Sequence, residues 1–148
     1  MAVEIVPLTA QDYEDWAPLW AGYLAFYEAR VSPETTRLTF SRLTDPAVPE
    51  MGSFLARLDG VAVGMTNYVF HRSTWTEGDY CYLQDLFVAP DRRVGGIGRA
   101  LIDAVTEEAR ARGASRVHWL THETNATAMR LYDACAQRSG FVQYRRLL

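Results

Sequence analysis

The feature that most constrains the fold of this chain lies at residues 86–105, LFVAPDRRVGGIGRALIDAV. The segment begins with an apolar stretch typical of a buried strand and ends with the apolar periodicity of a helix. Between them, residues 92–99 hold three arginines and three glycines. The first amide groups of a helix have no partners inside the helix, and glycines let a ligand come close to the backbone. The segment therefore predicts a strand–turn–helix unit with an anion site of the phosphate-binding kind.

The chain of 148 residues predicts a single domain, residues 1–148, of mixed α+β architecture. Apolar patterns and turn signals predict the order β-α-α-β-β-β-α-β-α-β, with a hairpin turn at Asp59 and Gly60. The last strand is expected at residues 141–148, FVQYRRLL. No apolar run has the roughly 18 residues that a membrane-spanning helix needs, so we expect no membrane partner.

The composition narrows the class of protein. The net charge of −3 argues against nucleic-acid binding, which favours a basic surface. The first residues lack the basic region and apolar stretch of a secretion signal. Cys81 and Cys135 form no disulfide framework or metal motif, and the three histidines are scattered along the chain. We therefore expect a cytoplasmic protein with reduced cysteines and no metal site.

Two common nucleotide-binding motifs fail at the glycine turn. A P-loop has Lys followed by Ser or Thr after its last glycine, but Arg99 and Ala100 follow Gly98 here. The dinucleotide fingerprint G-x-G-x-x-G, started at Gly96, would need a glycine where the chain has Leu101. The sequence therefore disfavours both a P-loop protein and a dinucleotide-binding protein.

The spacing Arg93-x-x-Gly96-x-Gly98 resembles the R/Q-x-x-G-x-G/A coenzyme A motif of the GNAT superfamily of N-acetyltransferases. The upstream LFVAP is similar to the strand end of that family, and NATAMRLY at residues 125–132 is similar to its N-x-x-A-x-x-L/F-Y segment. Within the superfamily, YLQDLFVAPDRRVGGIG and HETNATAMRLY most resemble the histone/polyamine-type branch, which includes the spermidine/spermine acetyltransferases.

The resemblance implies the GNAT fold, a central mixed and mostly antiparallel sheet flanked by helices. It implies acetyl-CoA as the acetyl donor and direct attack by a primary amine in a ternary complex. The amine would be a small molecule, a polyamine or a lysine side chain. The alternative is a non-catalytic acyl-CoA-binding sensor or regulatory module of the same fold. Dimers are frequent in the family, so the resemblance also implies a possible homodimer.

The same resemblance implies the residues of the coenzyme A site. The end of the strand would lie along the pantetheine arm, and the turn would surround the pyrophosphate. The residues carried over are Leu86, Phe87 and Val88 for the arm, Arg93, Val94, Gly95, Gly96, Ile97, Gly98 and Arg99 for the pyrophosphate, and Asn125 and Tyr132 in the following helix.

The resemblance makes Tyr132 the expected general acid. Asn125 and Tyr132 are seven residues apart, so about two helical turns keep them on one face. Polyamine-type relatives carry a glutamate base where this chain has Gln84, and glutamine cannot accept a proton. Asp85 is adjacent, but regular strand alternation would point it to the opposite face. Glu123, just before the helix, is the preferred replacement base.

The acceptor region is the least constrained part of the sequence. Family members usually pass from the tyrosine to a Gly-Phe pair sooner than here, where eight residues lead from Tyr132 to Gly140. We expect the helix to run one further turn and the final strand to enter from a shifted position. The expected acceptor contacts are Tyr27, Glu28, Tyr80, Tyr82 and Gln84.

Overall fold

A computed structural model describes residues 2–92 and 95–148. Within those ranges the chain forms five strands, β1 (Val3–Pro7), β2 (Met51–Leu58), β3 (Val61–His71), β4 (Tyr80–Val88) and β5 (Arg116–His118). The α-helices of the same ranges are α1 (Tyr13–Phe26), α2 (Pro33–Thr44), α3 (Ile97–Ala111) and α4 (Ala126–Cys135). None of these helices is long and apolar enough to cross a membrane.

The strands form one sheet in the order β1-β2-β3-β4-β5. The first four strands pair antiparallel, and β5 pairs parallel to β4 after the α3 crossover. The predicted hairpin turn is present between β2 and β3. Asp59 and Gly60 have φ angles of 51° and 84°, the left-handed conformation that a two-residue hairpin turn requires. The mixed and mostly antiparallel sheet with flanking helices confirms the predicted fold class.

The helices cover both faces of the sheet. On one face, Trp16 of α1 and Phe40 of α2 pack with Leu55 of β2. On the other face, Leu101 of α3 packs with Ala56, the next residue of the same strand. This alternation buries successive strand residues under different helices, which explains why β2 and β3 are apolar nearly throughout.

The predicted final strand is wrong. Residues 136–148 form neither helix nor strand, and the side chains of Phe141 and Tyr144 are 81% and 91% exposed. A strand needs a neighbouring edge to bond to, and within the described residues none pairs with this segment. Apolar alternation alone therefore could not make it a strand.

The predicted extra turn of the last helix is also wrong. α4 ends at Cys135, and Ala136 already has an extended backbone with φ −153° and ψ 179°. The helix has no fully buried side chain, so packing offers no free energy to extend it through the polar residues that follow. The chain instead leaves the helix three residues after Tyr132.

Candidate active site

A gap opens between β4 and β5. The two strands pair only from Tyr80 to Tyr82 on β4 and from Arg116 to His118 on β5. The remainder of β4, up to Val88, has no partner strand on that side within the described residues. Backbone groups of this stretch therefore face a cleft instead of a neighbouring strand. The three residues predicted to line the pantetheine arm, Leu86, Phe87 and Val88, lie in this stretch and are half-buried.

The amino end of α3 lies at the end of the same strand. Gly96 caps the helix in a left-handed conformation with φ 93°, and its carbonyl accepts the amide of Ala100. Ala100 is the first residue of α3 whose amide bonds to a carbonyl of the same helix. The amides of Ile97, Gly98 and Arg99 precede it, so they have no partner inside the helix. The first turn of α3 contains no acidic residue. These amides suit an anion, because the helix dipole adds positive potential at this end.

The space in front of the glycines is open. A Cβ atom built on Gly95 or Gly96 would meet no protein atom within 4 Å. Gly98 is different, since its Cβ would lie 3.3 Å from Leu131 of α4. Gly98 thus brings α3 close to α4, whereas Gly95 and Gly96 leave room for a ligand. The geometry fits the pyrophosphate of coenzyme A. Arg93 and Val94, also predicted for this site, lie outside the described residues.

Tyr132 lies on α4 beside the sheet. Its ring packs edge-on against Trp119, with centroids 5.4 Å apart. Burial raises the pKa of Tyr132 to about 12, and the nearby phenol of Tyr27 also raises it. Tyr132 therefore keeps its proton at neutral pH, as a general acid must. Asn125 caps the same helix, because its side chain accepts the amide of Ala128.

Regular strand alternation predicts that Asp85 and Tyr82 lie on opposite faces of the sheet, and this prediction is wrong. Asn67 of β3 pairs with Asp85, and the next residue, Tyr68, pairs with Leu83. Gln84 is therefore an extra residue in β4, a β-bulge that reverses the alternation beyond it. Asp85 consequently lies on the same face as Tyr82, and its charge contributes to raising the pKa of that tyrosine after the larger effect of burial.

Asp85 is held by a buried series of hydrogen bonds through Asn67 and Trp16, two residues that are not among the predicted site residues. The side-chain amide of Asn67 donates to Oδ2 of Asp85 at 3.1 Å. The indole of Trp16 donates in turn to the amide oxygen of Asn67 at 3.3 Å. Asp85 is 9% exposed, Asn67 is 3% exposed and Trp16 is fully buried. Asn67 is a polar residue inside the apolar run of β3, and a polar residue at such a position indicates a buried hydrogen bond. The sequence therefore does carry a signal for this residue.

The environment of Asp85 suits a base. Burial raises the pKa of its carboxyl group, while hydrogen bonding from Asn67 and Tyr23 lowers it. The net direction is upward, so its carboxylate is a stronger base than one in water. Burial, together with the charge of Asp85, strongly raises the pKa of Tyr23. Tyr23 lies on α1, with its ring packed between those of Trp20 and Tyr27.

The other predicted site residues differ widely in how exposed they are. Tyr27 lies at the carboxyl end of α1, with its ring 5.2 Å from that of Tyr23. Glu28 follows it, exposed and with φ 52°. Tyr80 is buried, with the guanidinium of Arg116 lying 3.7 Å from its ring centre. Gln84 at the bulge and Glu123 before α4 are exposed.

The comparisons with known proteins agree with this geometry. The Acetyltransferase (GNAT) family profile matches residues 13–136. The D-amino-acid N-acetyltransferase HPA3 of Saccharomyces cerevisiae is 32% identical over 145 residues, covering 97% of this chain and 90% of that protein. The chain belongs to the GNAT family of acetyltransferases. It is an acetyl-CoA-dependent N-acetyltransferase that acts on amines.

Two further proteins resemble this GNAT chain, one over part of its sequence and one in its structure. A thialysine N-epsilon-acetyltransferase of Caenorhabditis elegans is 34% identical over 80 residues, which cover 54% of this chain and 49% of that protein. The structure of AAC(6')-Iy in complex with the bisubstrate analogue CoA-S-monomethyl-acetylneamine has a TM-score of 0.86 at 19% identity, over 100% of this chain and 99% of that one. At this identity, the likeness to AAC(6')-Iy shows only that the two chains share a fold. The relatives are consistent with the polyamine-type branch.

Proposed function

We propose that this N-acetyltransferase acetylates the primary amine of a small molecule, a polyamine or a lysine side chain, with Asp85 as the base and Tyr132 as the acid. One observation carries the assignment. Asp85 lies in the stretch of β4 that has no partner strand on the β5 side within the described residues, and Tyr132 packs against Trp119, the residue that follows β5. The proposed base and acid would therefore flank the gap between the two strands, where acetyl-CoA is proposed to lie.

The glycine turn and the free edge of β4 would hold acetyl-CoA. When bound, it supplies the activated acetyl group of a thioester. The amides of Ile97, Gly98 and Arg99 would bind the pyrophosphate, and the free backbone of β4 would bind the pantetheine arm. We extend the pyrophosphate site to Arg93, Val94, Gly95 and Gly96 and the arm site to Leu86, Phe87 and Val88. Asn125 would orient α4 as its cap, since its side chain is occupied by the amide of Ala128.

Tyr132 would donate its phenolic proton to the sulfur that leaves. Its ring packs against Trp119, the residue is half-buried, and burial raises its pKa, so the phenol would keep its proton until the thiolate forms. A backbone amide of the free β4 edge would polarise the acetyl carbonyl. No protein nucleophile is required, because the amine attacks directly.

Asp85 is favoured over Glu123 as the base. A base must be able to take a proton near neutral pH, and burial raises the pKa of Asp85 in that direction. Glu123 is exposed in the turn before α4, where water solvates its charge. Polyamine-type relatives carry their carboxylate at the position of Gln84, and this chain has one at the next residue, Asp85. The bulge at Gln84 turns Asp85 to the face of Tyr82.

The aromatic and acidic surroundings favour a cationic acceptor. Tyr23 and Tyr82 are near enough to Asp85 for its charge to raise their pKa values, and Tyr27 packs against Tyr23. Aromatic faces and carboxylates both attract an ammonium group. Glu28 and Gln84 would lie at the rim of this pocket. Tyr80, buried under Arg116, would support Tyr82 from behind. The relatives named for D-amino acids and for thialysine act on amines, and the non-catalytic alternative has no support from them.

An amine panel tests the proposed function. We expect the purified protein to release CoA from acetyl-CoA with polyamines, lysine derivatives or amino acids well above the rate without amine. The measurement is a thiol-release assay, with the acetylated product identified by mass spectrometry. CoA release no faster than background with every amine, in a protein that binds acetyl-CoA, would contradict the proposal and favour the sensor alternative.

We further propose a cytoplasmic homodimer. Its location follows from its donor, because acetyl-CoA is a cytoplasmic metabolite. Support for the dimer comes from the exposed apolar side chains of the C-terminal segment, among them Phe141, Tyr144 and Leu147. Beside it lies a cleft of about 1090 Å³, whose lining includes Trp119 and Leu120. The C-terminal segment of a second copy would cover this cleft and pair with the free edge of β5.

We expect the protein to have twice its chain mass of 16.7 kDa at micromolar concentration, measured by light scattering after size exclusion. The double variant Phe141→Asp, Tyr144→Asp should be monomeric, since charges cannot be buried in an apolar contact. Val61→Asp, at an exposed position of β3, should stay dimeric. A wild-type monomer, or a dimer unaffected by the double variant, would contradict the proposed contact.

A further inference from the structure

We propose that Thr66 is a positioning residue for acetyl transfer, because its hydroxyl holds the carbonyl of Asp85 against β3 and so aims the amide of Leu86 at the carbonyl oxygen of acetyl-CoA. The inference rests on the proposed function and gives a role to a residue outside the coenzyme A motifs. It follows from one buried hydrogen bond, from the geometry of the peptide bond and from the pairing of β3 with β4.

Thr66 is a fully buried residue in the middle of β3. Its Oγ1 atom lies 2.9 Å from the backbone carbonyl oxygen of Asp85. A carbonyl oxygen can only accept a hydrogen bond, so the hydroxyl of Thr66 is the donor. Valine has nearly the same shape and would need no buried polar partner. The hydrogen bond to Asp85, and not packing, therefore distinguishes threonine from valine at this position.

This hydrogen bond fixes the direction of the next backbone amide. The peptide bond between Asp85 and Leu86 is trans and planar, so its C=O and N–H groups point in opposite directions. Because Thr66 holds the C=O group toward β3, the N–H group of Leu86 points away from β3, toward the gap between β4 and β5. Within the described residues, this part of β4 has no partner strand on that side. The amide of Leu86 is therefore free to donate to a ligand in the gap.

The pairing of β3 with β4 gives the same direction independently. The amide of Ala89, just beyond β4, donates to the carbonyl of Val63 in β3 at 2.8 Å. In an antiparallel pair, successive residues direct their backbone groups to alternate sides of the strand. The register is regular from Val88 back to Asp85. The backbone groups of Asp85 therefore face β3, and those of Leu86 and Val88 face the gap.

Of these two amides, Leu86 is the one beside the proposed chemistry. β4 runs toward the amino end of α3, where the pyrophosphate is proposed to lie, so Val88 is nearer to the pyrophosphate and Leu86 is further into the gap. Leu86 also follows Asp85, the proposed base, and the attacking amine must lie beside both the base and the acetyl carbon. As the amine attacks, the carbonyl oxygen gains negative charge, which an amide aimed at it stabilises.

Thr66 would also make this amide a stronger donor. A hydrogen bond to the carbonyl of a peptide unit polarises that unit, including its N–H group. The next residue of β3, Asn67, donates to the carboxylate of the same Asp85 at 3.1 Å. Two adjacent polar residues of β3 thus hold the proposed base and the amide that follows it.

The test uses two variants of Thr66 and one matched control. Thr66→Val removes the hydroxyl and nearly keeps the shape, whereas Thr66→Ser keeps the hydroxyl. Thr106→Val is the control, because the hydroxyl of Thr106 also donates to a backbone carbonyl, that of Ile102 within α3, at 2.8 Å. The acceptor is the amine of the panel that the wild type acetylates fastest, and the measurement is the rate of acetyl transfer in a single turnover.

Thr66→Val should transfer the acetyl group about 10-fold more slowly. Complete removal of such a donor costs about 10²- to 10³-fold, and here the donor is only misaligned. The affinity for acetyl-CoA should not change, because the amide binds the developing charge mainly in the transition state. The acid limb of the pH–rate profile should also stay in place, since the Asp85 carboxylate keeps its bond from Asn67. Thr66→Ser should keep most of the wild-type rate, and Thr106→Val all of it.

A second readout needs no acceptor amine. In NMR spectra of the wild type, the amide proton of Leu86 should move downfield on binding acetyl-CoA and not on binding CoA, which lacks the acetyl carbonyl. This acetyl-specific shift should be smaller in Thr66→Val and unchanged in Thr66→Ser and Thr106→Val. The wild-type spectra test the assigned amide even where the valine variant does not fold.

The outcomes distinguish this inference from the proposed function. A wild-type rate in folded Thr66→Val, or equal losses in Thr66→Val and Thr66→Ser, would overturn the role of the hydroxyl. Equal responses of the Leu86 amide to acetyl-CoA and CoA would overturn the assigned donor. Failure of the proposed function would appear differently, as a wild type that releases no CoA with any amine. Slow transfer in Thr66→Val, with a reduced acetyl-specific shift and recovery in Thr66→Ser, would establish the assignment.

Discussion

The variant Asp85→Asn should lose about 10²- to 10⁴-fold in kcat/KM for a basic amine, the range expected when a general base is removed. Asparagine has nearly the same shape and its oxygen can still accept the hydrogen bond from Asn67, so the bulge should persist. What disappears is the only atom in this buried chain that can take a proton. The measurement is steady-state CoA release across pH.

Glu123→Gln distinguishes the two candidate bases, because it makes the same chemical change at the exposed carboxylate before α4. We expect its pH–rate profile to match that of the wild type. Glu107→Gln, at an exposed position of α3, is the neutral control for a lost surface charge. The assignment is wrong if Glu123→Gln loses activity and Asp85→Asn does not.

Asp85→Asn should also make the folded protein more stable, relative to the wild type, as pH rises. The pKa of Asp85 is raised in the folded protein above its ordinary value, so ionising it favours the unfolded chain. The wild type therefore loses stability as pH rises from the unfolded pKa through the folded pKa. The variant lacks this loss. As pH rises from 3.8 to neutrality, the melting temperature of the variant should therefore rise relative to that of the wild type. An active site that costs stability is a common trade-off.

The variant Gly96→Ala should weaken acetyl-CoA binding about 10- to 100-fold, which corresponds to about 1.4–2.7 kcal/mol. The added methyl group meets no protein atom, so it would point into the space where the pyrophosphate is proposed to lie. The φ of 93° adds strain that tends to turn the first amides of α3 away from the ligand. The measurement is thermal stabilisation by acetyl-CoA, with ATP and NAD as controls.

Gly60→Ala is the matched control for this change. Gly60 also has a positive φ, 84°, and its Cβ would also meet no atom within 4 Å, but it lies in the hairpin turn between β2 and β3. Both variants should unfold at a lower temperature, and only Gly96→Ala should lose its response to acetyl-CoA. Equal responses in the two variants would mean that the glycine turn does not bind the cofactor.

Local parts of the site could be predicted from the sequence because they depend on short-range geometry. The turn at Gly95, Gly96 and Gly98 follows a strand and begins a helix, and a helix presents free amides whatever the rest of the fold does. In the same way, the seven-residue spacing of Asn125 and Tyr132 places both on one face of any helix. These features also carried the family resemblance that the comparisons support.

The orientation of Asp85 could not be predicted from the sequence, because it depends on the pairing of β4 with β3. Nothing within YCYLQDLFV shows that Gln84 is an extra residue, since the bulge arises only from the register between β4 and β3. Regular alternation therefore put Asp85 on the wrong face. The hydrogen bonds from Trp16 to Asn67 and from Asn67 to Asp85 form only when α1, β3 and β4 pack together.

The C-terminal segment shows the same division between local pattern and tertiary partner. Its alternating apolar residues favour a strand, but a strand exists only where another edge satisfies its backbone groups. The sequence by itself determined the glycine turn between β4 and α3, the helix that carries Tyr132 and the class of fold, because periodicity and glycine placement act over a few residues. The tertiary structure alone decided the face of Asp85, its hydrogen bonds and the free C-terminus, because each depends on a partner far away in the chain.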